Sequence, residues 1–381
     1  MISQKFHKCP NDEGNDGAHH KPLKTINVKQ PLLIGLVEWL EKAAIYLHNH
    51  ALVKPSGETL WVCFFSFRPV SRSGQFTTES TMMIKGLIAP LLTPFDDNLN
   101  LDQSLYNDLA KHLLATGVSG LAPFGTTGEA LSVSHSERKA ALEGLVKAGI
   151  DSAVMIPGTG LCNLPDTIDL CQHAVGLGCA GVMVLPPFYF KGMSDAGLYD
   201  YYAQLITGVN DQRLKIYLYH IPQVSGVGLS IDLVKKLHAD FPEAIVGIKD
   251  SSGVWDNTKA LLEIDGLIVY PGAELPIIEA IRLGAPGCIS ATANLNGTDI
   301  AEVIDLCLAG NWELAETKHK KVCAVRLMFQ DYAPIPAQKA LLARSTGHRA
   351  WGNLRAPMRP MDKDKLDALA NGLASDFGMH F

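Results

Sequence analysis

Ala244-Ile-Val-Gly-Ile-Lys-Asp250 is a short apolar run that ends in a lysine and an aspartate. Its length and its β-branched residues are typical of a strand that is covered on both faces, as in a parallel sheet. Burial of Lys249 would disfavour its ammonium form and favour a neutral, nucleophilic amine. The position alone leaves two interpretations open: a nucleophile, or a strand cap that reaches solvent or pairs with Asp250.

Similar runs recur from Ile84 onward, and helix-length amphipathic stretches follow them. Eight strands are predicted, at 86–92, 120–123, 153–157, 181–185, 215–219, 244–248, 267–270 and 287–290. Helices are predicted between them, for example at 102–116, 134–147, 165–177 and 275–283. This repeat predicts an α/β fold, a (β/α)8 TIM barrel with a C-terminal helical extension. A doubly wound open sheet is the alternative, but Pro157-Gly-Thr-Gly160 lacks the third glycine of its phosphate-binding fingerprint.

The domain organisation follows from changes in composition along the chain. The barrel is expected over 83–298 and the extension over 299–381, with helical stretches at roughly 299–328, 335–345 and 362–373. Residues 1–82 are predicted to be an N-terminal extension, poorly ordered or an artefact of start-site choice, because Met82 and Met83 directly precede the barrel pattern. Within it, 32–47 carries three charges and 60–67 is short, so neither fits a membrane helix.

The composition of the chain indicates which kinds of molecule it binds. The 381 residues are 47% hydrophobic and 19% charged, as in a globular protein with a large core. A net charge of -6, without any Lys/Arg run, favours small molecules over nucleic acid or a membrane surface. The eight cysteines show no C-x-x-C pair or metal-ligand spacing. We therefore expect reduced, mostly buried thiols, no metal site and a cytoplasmic location.

Candidate site residues follow the strands, because reacting groups of a (β/α)8 barrel lie at its carboxyl-terminal face. Tyr219 ends the strand before that of Lys249, and a phenol there can transfer protons to a reacting carbinolamine. Gly125-Thr-Thr-Gly-Glu129 offers glycines, hydroxyls and N–H donors that suit a carboxylate. Taken singly, the tyrosine could be a packed aromatic residue and the loop an ordinary glycine turn.

Six motifs in chain order resemble the dihydrodipicolinate synthase / N-acetylneuraminate lyase family, from about Ile84 to the C-terminal helices. They are Gly125-Thr-Thr-Gly-Glu129, the Pro-Phe-Tyr189 segment, Tyr219-His-Ile-Pro222, Gly247-Ile-Lys-Asp-Ser251, Gly272 with Glu274, and Gly287-Cys-Ile-Ser-Ala-Thr-Ala-Asn294. The resemblance implies a pyruvate-handling class I aldolase or synthase that uses no metal or organic cofactor. It also implies a homo-oligomer, a dimer or a tetramer.

The resemblance assigns roles to individual residues. Lys249 would form a Schiff base with pyruvate or another 2-oxo acid, and Tyr219 and Thr126 would relay protons. Tyr189 would join this relay across a dimer interface, and Thr127 would hold the pyruvate carboxylate. Further substrate-binding residues are expected at Gly125, Ser251, Glu274, Ile289 and Ser290.

Departures from the family pattern leave the second substrate open. In the synthases, an arginine grips the carboxylate of aspartate semialdehyde; here Val224 stands at that place and cannot make a charge-assisted bond. The segment around it is closer to sialic acid lyases and 2-keto-3-deoxy-sugar-acid aldolases, but Glu274-Leu275 has only half of the lyases' acidic pair. His220 stands where asparagine is common. The prediction is an aldolase or synthase of unresolved specificity, with a Schiff-base dehydratase or decarboxylase and a non-catalytic relative as alternatives.

Overall fold

The computed structural model describes residues 83–381, so the predictions for residues 1–82 lie outside the described residues. Parallel strands alternate with helices in this part of the chain, and the structure is a (β/α)8 barrel with a C-terminal helical extension. The strands are β1 Gly86–Ala89, β2 Gly120–Leu121, β3 Val182–Val184, β4 Ile216–His220, β5 Ile245–Asp250, β6 Ile268–Pro271 and β7 Gly287–Ile289.

The third predicted strand, 153–157, forms a shorter extended segment than the sequence suggested. Ser152–Val154 is a 3-10 turn. The residues after it pair in parallel with both neighbouring strands, through single bridges from Met155 to Leu121 and from Gly158 to Met183. The segment therefore occupies the strand position between β2 and β3.

The barrel consists of two hydrogen-bonded groups of strands, in the orders β2-β1-β7 and β3-β4-β5-β6, with every pair parallel. At the junction of β6 and β7, Cys288 Sγ donates to the Pro271 carbonyl over 3.2 Å. Side chains of alternate residues fill the interior, because successive strand residues point to opposite faces. The interior cluster includes Ile88, Ala122, Ile156, Met183, Tyr217, Tyr219, Val246, Tyr270 and Ile289.

Eight helices of the described chain lie between the strands. They are α1 Gln103–Ala115, α2 His135–Lys147, α3 Leu164–Gly176, α4 Asp195–Val209, α5 Pro222–Ser225, α6 Ile231–Asp240, α7 Trp255–Leu262 and α8 Ile277–Arg282. Several begin at the caps that their sequences indicate. Ser134 and Glu137 form a capping box at α2, and Asp102 accepts a hydrogen bond from Leu105 N at α1.

Four helices follow β7: α9 Ala293–Leu308, α10 Trp312–Met328, α11 Pro334–Thr346 and α12 Lys363–Phe377. The helical stretch predicted at about 299–328 consists of two helices, because the chain turns at Gly310, whose φ of 77° is in the left-handed region that glycine tolerates. α9 begins before the predicted domain boundary at residue 298 and belongs to the eighth βα unit. Val325, Leu341 and Leu369 belong to an apolar cluster that joins α10, α11 and α12.

Residues 83–381 contain no disulfide bond, no cluster of metal ligands and no helix that could cross a membrane. The six cysteines described are free: Cys171, Cys288 and Cys307 are buried, and Cys162, Cys179 and Cys323 are half-buried. In the same residues, no three His, Cys, Asp or Glu side chains are grouped so that they could hold a metal ion. No helix there combines the length and apolar character that a membrane crossing requires.

Candidate active site

Lys249 and Tyr219 are register partners near the carboxyl ends of β5 and β4. Each is only 4% exposed. Lys249 Nζ lies 4.6 Å from the centroid of the Tyr219 ring, a distance at which an ammonium group is attracted to the ring face. Two neighbouring parallel strands thus bring an amine and a phenol together at the end of the barrel where catalytic groups usually lie.

Asp250 is not the partner of Lys249. Its Oδ2 accepts hydrogen bonds from Thr258 Oγ1 at 2.7 Å and Asn257 Nδ2 at 3.1 Å, and its Oδ1 accepts one from Ser252 N at 2.9 Å. Within residues 83–381, no carboxylate comes within 4.0 Å of Lys249 Nζ. Lys249 therefore neither reaches solvent nor pairs with Asp250, so it has neither feature of the strand cap that the sequence left open.

Residues 125–129, which we call the threonine loop, place a second hydroxyl beside Tyr219. Thr126 Oγ1 lies 3.2 Å from Tyr219 OH, and either oxygen can donate. The loop is a tight turn in which Glu129 N donates to Thr126 O over 3.1 Å. A Cβ at Gly128 would lie 2.7 Å from the Leu91 carbonyl, so only glycine fits this approach. The turn therefore fixes the hydroxyl that faces the phenol.

A cavity of about 220 Å³ opens beside the threonine loop and Tyr219. Gly125, Thr126 and Val224 are among the residues that line it. No lysine or arginine of the described chain lines the cavity, and this includes Lys249; Tyr219, which does line it, lies between the cavity and the amine, 4.6 Å from Lys249 Nζ to its ring centroid. Two further lining residues, Ile335 and Met358, come from the C-terminal extension, and no sequence motif had marked them. The cavity suits a small substrate that is mostly in contact with apolar side chains.

Glu274 and Ser290 belong to a buried network. Glu274 is fully buried; its Oε1 accepts from Ser290 Oγ at 2.5 Å and from Thr292 Oγ1, and its Oε2 lies 3.2 Å from Arg326 Nε. Glu274 Oε2 has no hydrogen-bond partner among the described residues, and the contacts of Glu274 and Ser290 with substrate stay a prediction. The sequence did not reveal Arg326, which reaches this network from α10.

The remaining predicted site residues lie at separate places on the carboxyl-terminal face. Thr127 is 8% exposed within the threonine loop, and Ile289 is fully buried in the barrel interior. Ser251 follows β5, and its backbone N donates to His220 O over 2.8 Å. Tyr189 follows β3 but is 76% exposed, so within one chain it does not join Lys249 and Tyr219.

His220 is a neutral part of the wall behind the site. Its Nδ1 accepts a hydrogen bond of 3.0 Å from Leu229 N, which places the ring proton on Nε2. Burial lowers the pKa of His220 below its ordinary value, and the nearby Asp250 carboxylate only partly opposes this effect. The imidazole is therefore uncharged near neutral pH.

Comparisons with known proteins connect this geometry to one family. A family model described as the Dihydrodipicolinate synthetase family matches residues 83–375. A 4-hydroxy-tetrahydrodipicolinate synthase of Thermus thermophilus is 33% identical over 291 residues, 76% of this chain and 96% of that protein. That of Methanothrix thermoacetophila is 30% identical over 286 residues, 74% of this chain and 93% of that protein.

Solved structures give the same result. The dihydrodipicolinate synthase of Agrobacterium tumefaciens has a TM-score of 0.71 at 30% identity, and the alignment covers 77% of this chain and 99% of that one. YagE of E. coli K12, solved in complex with pyruvate, has a TM-score of 0.71 at 26% identity, with coverage of 77% and 98%. A chloride-inhibited synthase of Acinetobacter baumannii, complexed with pyruvate, has a TM-score of 0.70 at 28% identity, with coverage of 78% and 100%.

Proposed function

The chain belongs to the dihydrodipicolinate synthetase family and is a class I pyruvate-dependent aldolase or synthase, and we propose that Lys249 is its Schiff-base lysine. The observation that carries this proposal is the environment of the amine. Lys249 is 4% exposed, has no carboxylate partner among residues 83–381, and lies against the ring of Tyr219. An amine at the carboxyl end of a barrel strand, beside a phenol that can transfer protons, is placed to act as the nucleophile.

The proposed reaction begins when Lys249 Nζ attacks C2 of pyruvate. A C–N bond forms, the carbonyl oxygen takes up a proton, and the carbinolamine then loses water to give an imine. Loss of a proton from C3 yields an enamine, whose C3 attacks an aldehyde carbon and forms the new C–C bond. Tyr219, paired with Thr126 Oγ1 at 3.2 Å, transfers protons at the oxygens. Hydrolysis of the imine releases the product, and cleavage is the reverse sequence.

Thr127 and the backbone of the threonine loop hold the pyruvate carboxylate in this proposal. The loop begins with Gly125, whose missing side chain lets the backbone approach a ligand. A carboxylate accepts several N–H and O–H hydrogen bonds, which orient C2 toward the amine.

Trapping tests the proposal directly. The protein is incubated with pyruvate and borohydride, digested, and the peptide that contains Lys249 is examined by mass spectrometry. The expected result is a reduced pyruvate adduct on Lys249 and none on Lys215, whose ammonium donates to the Glu243 carbonyl at 2.6 Å. An unmodified Lys249 would contradict the assignment.

For the second substrate, we propose an aldehyde whose recognition does not depend on a cationic side chain at Val224. Val224 is 63% exposed and lines the cavity, where no lysine or arginine of the described chain is present. The wall at Val224 therefore offers no charge-assisted bond to the carboxylate of aspartate semialdehyde.

A substrate panel tests this specificity. Aspartate semialdehyde and several keto-deoxy sugar acids are compared by pyruvate consumption or release. We expect kcat/KM for aspartate semialdehyde to be below that for at least one sugar acid. Val224→Arg is expected to raise it about tenfold, as one charge-assisted hydrogen bond would. If aspartate semialdehyde gave the highest kcat/KM with the wild-type protein, the specificity proposal would be wrong.

We also propose a cytoplasmic homo-oligomer, a dimer or a tetramer, in which Tyr189 reaches the site of a partner subunit. The support for assembly is an exposed apolar surface formed by Tyr189, Phe190 and Met193, which are 76%, 50% and 48% exposed. The support for the location is the unpaired state of the six described cysteines.

A further inference from the structure

Lys339 and Glu129 form an ion pair that is completely withdrawn from solvent. Lys339 Nζ lies 2.7 Å from Glu129 Oε1, and both side chains are 0% exposed. Lys339 belongs to α11 in the C-terminal extension, whereas Glu129 ends the threonine loop. The loss of hydration on burial of two charges can exceed their mutual attraction, so such a pair is weak evidence for a role in stability alone.

The other contacts of Lys339 converge on the same loop. Its Nζ donates to the Thr93 carbonyl at 2.9 Å and lies 4.5 Å from the centroid of the Phe95 ring. Thr93 Oγ1 in turn donates to the Gly128 carbonyl at 2.7 Å. Two successive residues of the loop, Gly128 and Glu129, are thus held by Lys339, one directly and one through Thr93.

The backbone conformation of Glu129 is one that contacts to its side chain can stabilise. Its φ of 53° lies in the left-handed region, which is strained for a residue with a side chain. This conformation lets Glu129 N close the turn on Thr126 O at 3.1 Å. The same turn holds the Thr126 hydroxyl 3.2 Å from Tyr219 OH. Movement of Glu129 would therefore disturb the turn that holds the Thr126 hydroxyl beside Tyr219 and that contains Thr127.

We propose that Lys339 is a positioning residue for the Schiff-base reaction, which holds the threonine loop in its substrate-binding conformation through the buried carboxylate of Glu129. The proposal rests on the assignment of Lys249 as the imine-forming lysine. Lys339 does not contact the substrate in this account. It acts on the pyruvate carboxylate through Thr127 and on proton transfer through Thr126.

Because Glu129 is ionisable, the effect of Lys339 on the threonine loop should depend on pH. Burial raises the pKa of the Glu129 carboxyl, and Lys339 opposes this increase. The other charge that acts on Glu129 is Arg355, whose Nη2 is paired with Glu137 at 2.5 Å and which also faces Asp96. Without the ammonium of Lys339, the Glu129 carboxyl can stay buried when it is protonated. When it is ionised it has no counter-ion, and we expect the side chain to turn toward water.

The test uses Lys339→Met, which keeps the apolar stem and removes the charge. The pyruvate concentration that half-saturates borohydride trapping at Lys249 is measured between about pH 6 and pH 8. We expect an increase of about tenfold or more at the upper end and a smaller increase at the lower end, where Glu129 is protonated more often. Lys363→Met is the matched control, because Lys363 is an 84% exposed lysine on α12 of the same extension.

A double variant separates positioning from general damage. Glu129→Gln/Lys339→Met contains no buried charge, so it is expected to recover most of the pyruvate affinity and to lose the pH dependence. An unchanged half-saturating concentration in Lys339→Met at every pH, or a double variant as impaired as the single one, would overturn the proposal. If Lys339→Met does not fold, the single variant Glu129→Gln is measured instead. We then expect the pyruvate concentration that half-saturates trapping to rise at least about threefold, and an unchanged value overturns the proposal. If the wild-type protein itself is not trapped, the imine assignment has failed instead.

Discussion

The hydroxyl of Tyr219 is the group whose removal tests proton transfer most cleanly. Tyr219→Phe keeps the ring that lies 4.6 Å from Lys249 Nζ and removes only the oxygen that faces Thr126. We expect turnover to fall by about 10²–10⁴-fold, the usual contribution of general acid–base catalysis. Trapping at Lys249 should also slow. Steady-state assays and timed borohydride quenching measure the two effects.

Tyr217 provides the matched control for this substitution. It lies two residues earlier on β4, is 1% exposed, and its hydroxyl has no hydrogen-bond partner among residues 83–381. Tyr217→Phe should therefore leave turnover close to that of the wild type. If Tyr219→Phe also turns over at the wild-type rate, Tyr219 is not the proton-transfer residue.

Single residues also show which parts of the site were predictable. Lys249 and Tyr219 were paired from sequence because parallel strands end at a common edge, so a residue that ends one strand meets a residue that ends the next. Lys339 and Arg326 were missed because they lie on helices of the extension. Lys339 meets Glu129 across 210 positions of the chain, and no local pattern encodes such a contact.

At the scale of elements, Arg355 attaches the segment that follows α11 to the beginning of α2. Its Nη1 donates to Glu137 Oε2 at 2.9 Å and to Ser132 O at 2.6 Å, and its guanidinium lies 4.5 Å from the Phe95 ring centroid. Arg355→Met should lower the free energy of unfolding at neutral pH by about 1–3 kcal/mol, the usual range for hydrogen bonds to charged groups. Urea denaturation measures the change.

The effect of Arg355→Met should depend on pH. Hydrogen bonds from Arg355 are the largest cause that lowers the pKa of Glu137, to about 2 from an ordinary value of 4.5. A depressed carboxyl pKa stabilises the fold fully above the unfolded value and ceases to do so as the pH falls through the folded value. The difference between variant and wild type should be constant above about pH 5 and shrink in acid. A difference that grows on acidification would contradict this account. Arg344→Met, at an exposed pair with Asp367, should change stability by less than about 1 kcal/mol.

The elements that differed from prediction did so for local physical reasons. The strand expected at 153–157 begins late, because Ser152–Val154 is a 3-10 turn, and Pro157 has no N–H to donate to β3. It still bonds to both neighbouring strands, for example through Ile156 N to Leu121 O at 2.8 Å and Met183 N to Pro157 O at 2.9 Å. Apolar patterning predicts where such a segment lies, but it does not predict how many ladder bonds the segment makes. The same limit explains the missed break at Gly310, where helical spacing continues on both sides of the turn.

Across the whole described chain, the C-terminal extension is a part of the site rather than an attachment to it. Ile335 and Met358 line the cavity, and Lys339 holds the threonine loop. Without the extension, the sides of the cavity at Ile335 and Met358 would be exposed to water. The fold class was predictable because eight βα units repeat in the sequence. The contribution of the extension to the cavity was not predictable, because it depends on tertiary contacts between the two ends of the described chain.

Assembly is the property of the whole molecule that the exposed surface of Tyr189, Phe190 and Met193 predicts. It adjoins Phe188, which lines the cavity, so a subunit bound there would place side chains near the site. We expect the wild-type protein to be a dimer or tetramer by light scattering, and Phe190→Asp to shift it toward monomers, because a carboxylate in an apolar interface would lose its hydration. Turnover per subunit should fall in parallel, since Tyr189 would lose its partner.

The control for this prediction is Leu314→Asp, an equally apolar residue that is 42% exposed on α10. It should leave both the mass and the turnover unchanged if assembly depends on the surface of Tyr189, Phe190 and Met193. A wild-type protein that is fully active as a monomer would contradict the prediction. It would also remove Tyr189 from the proton relay, because Tyr189 is 76% exposed and makes no hydrogen bond to Tyr219 within its own subunit.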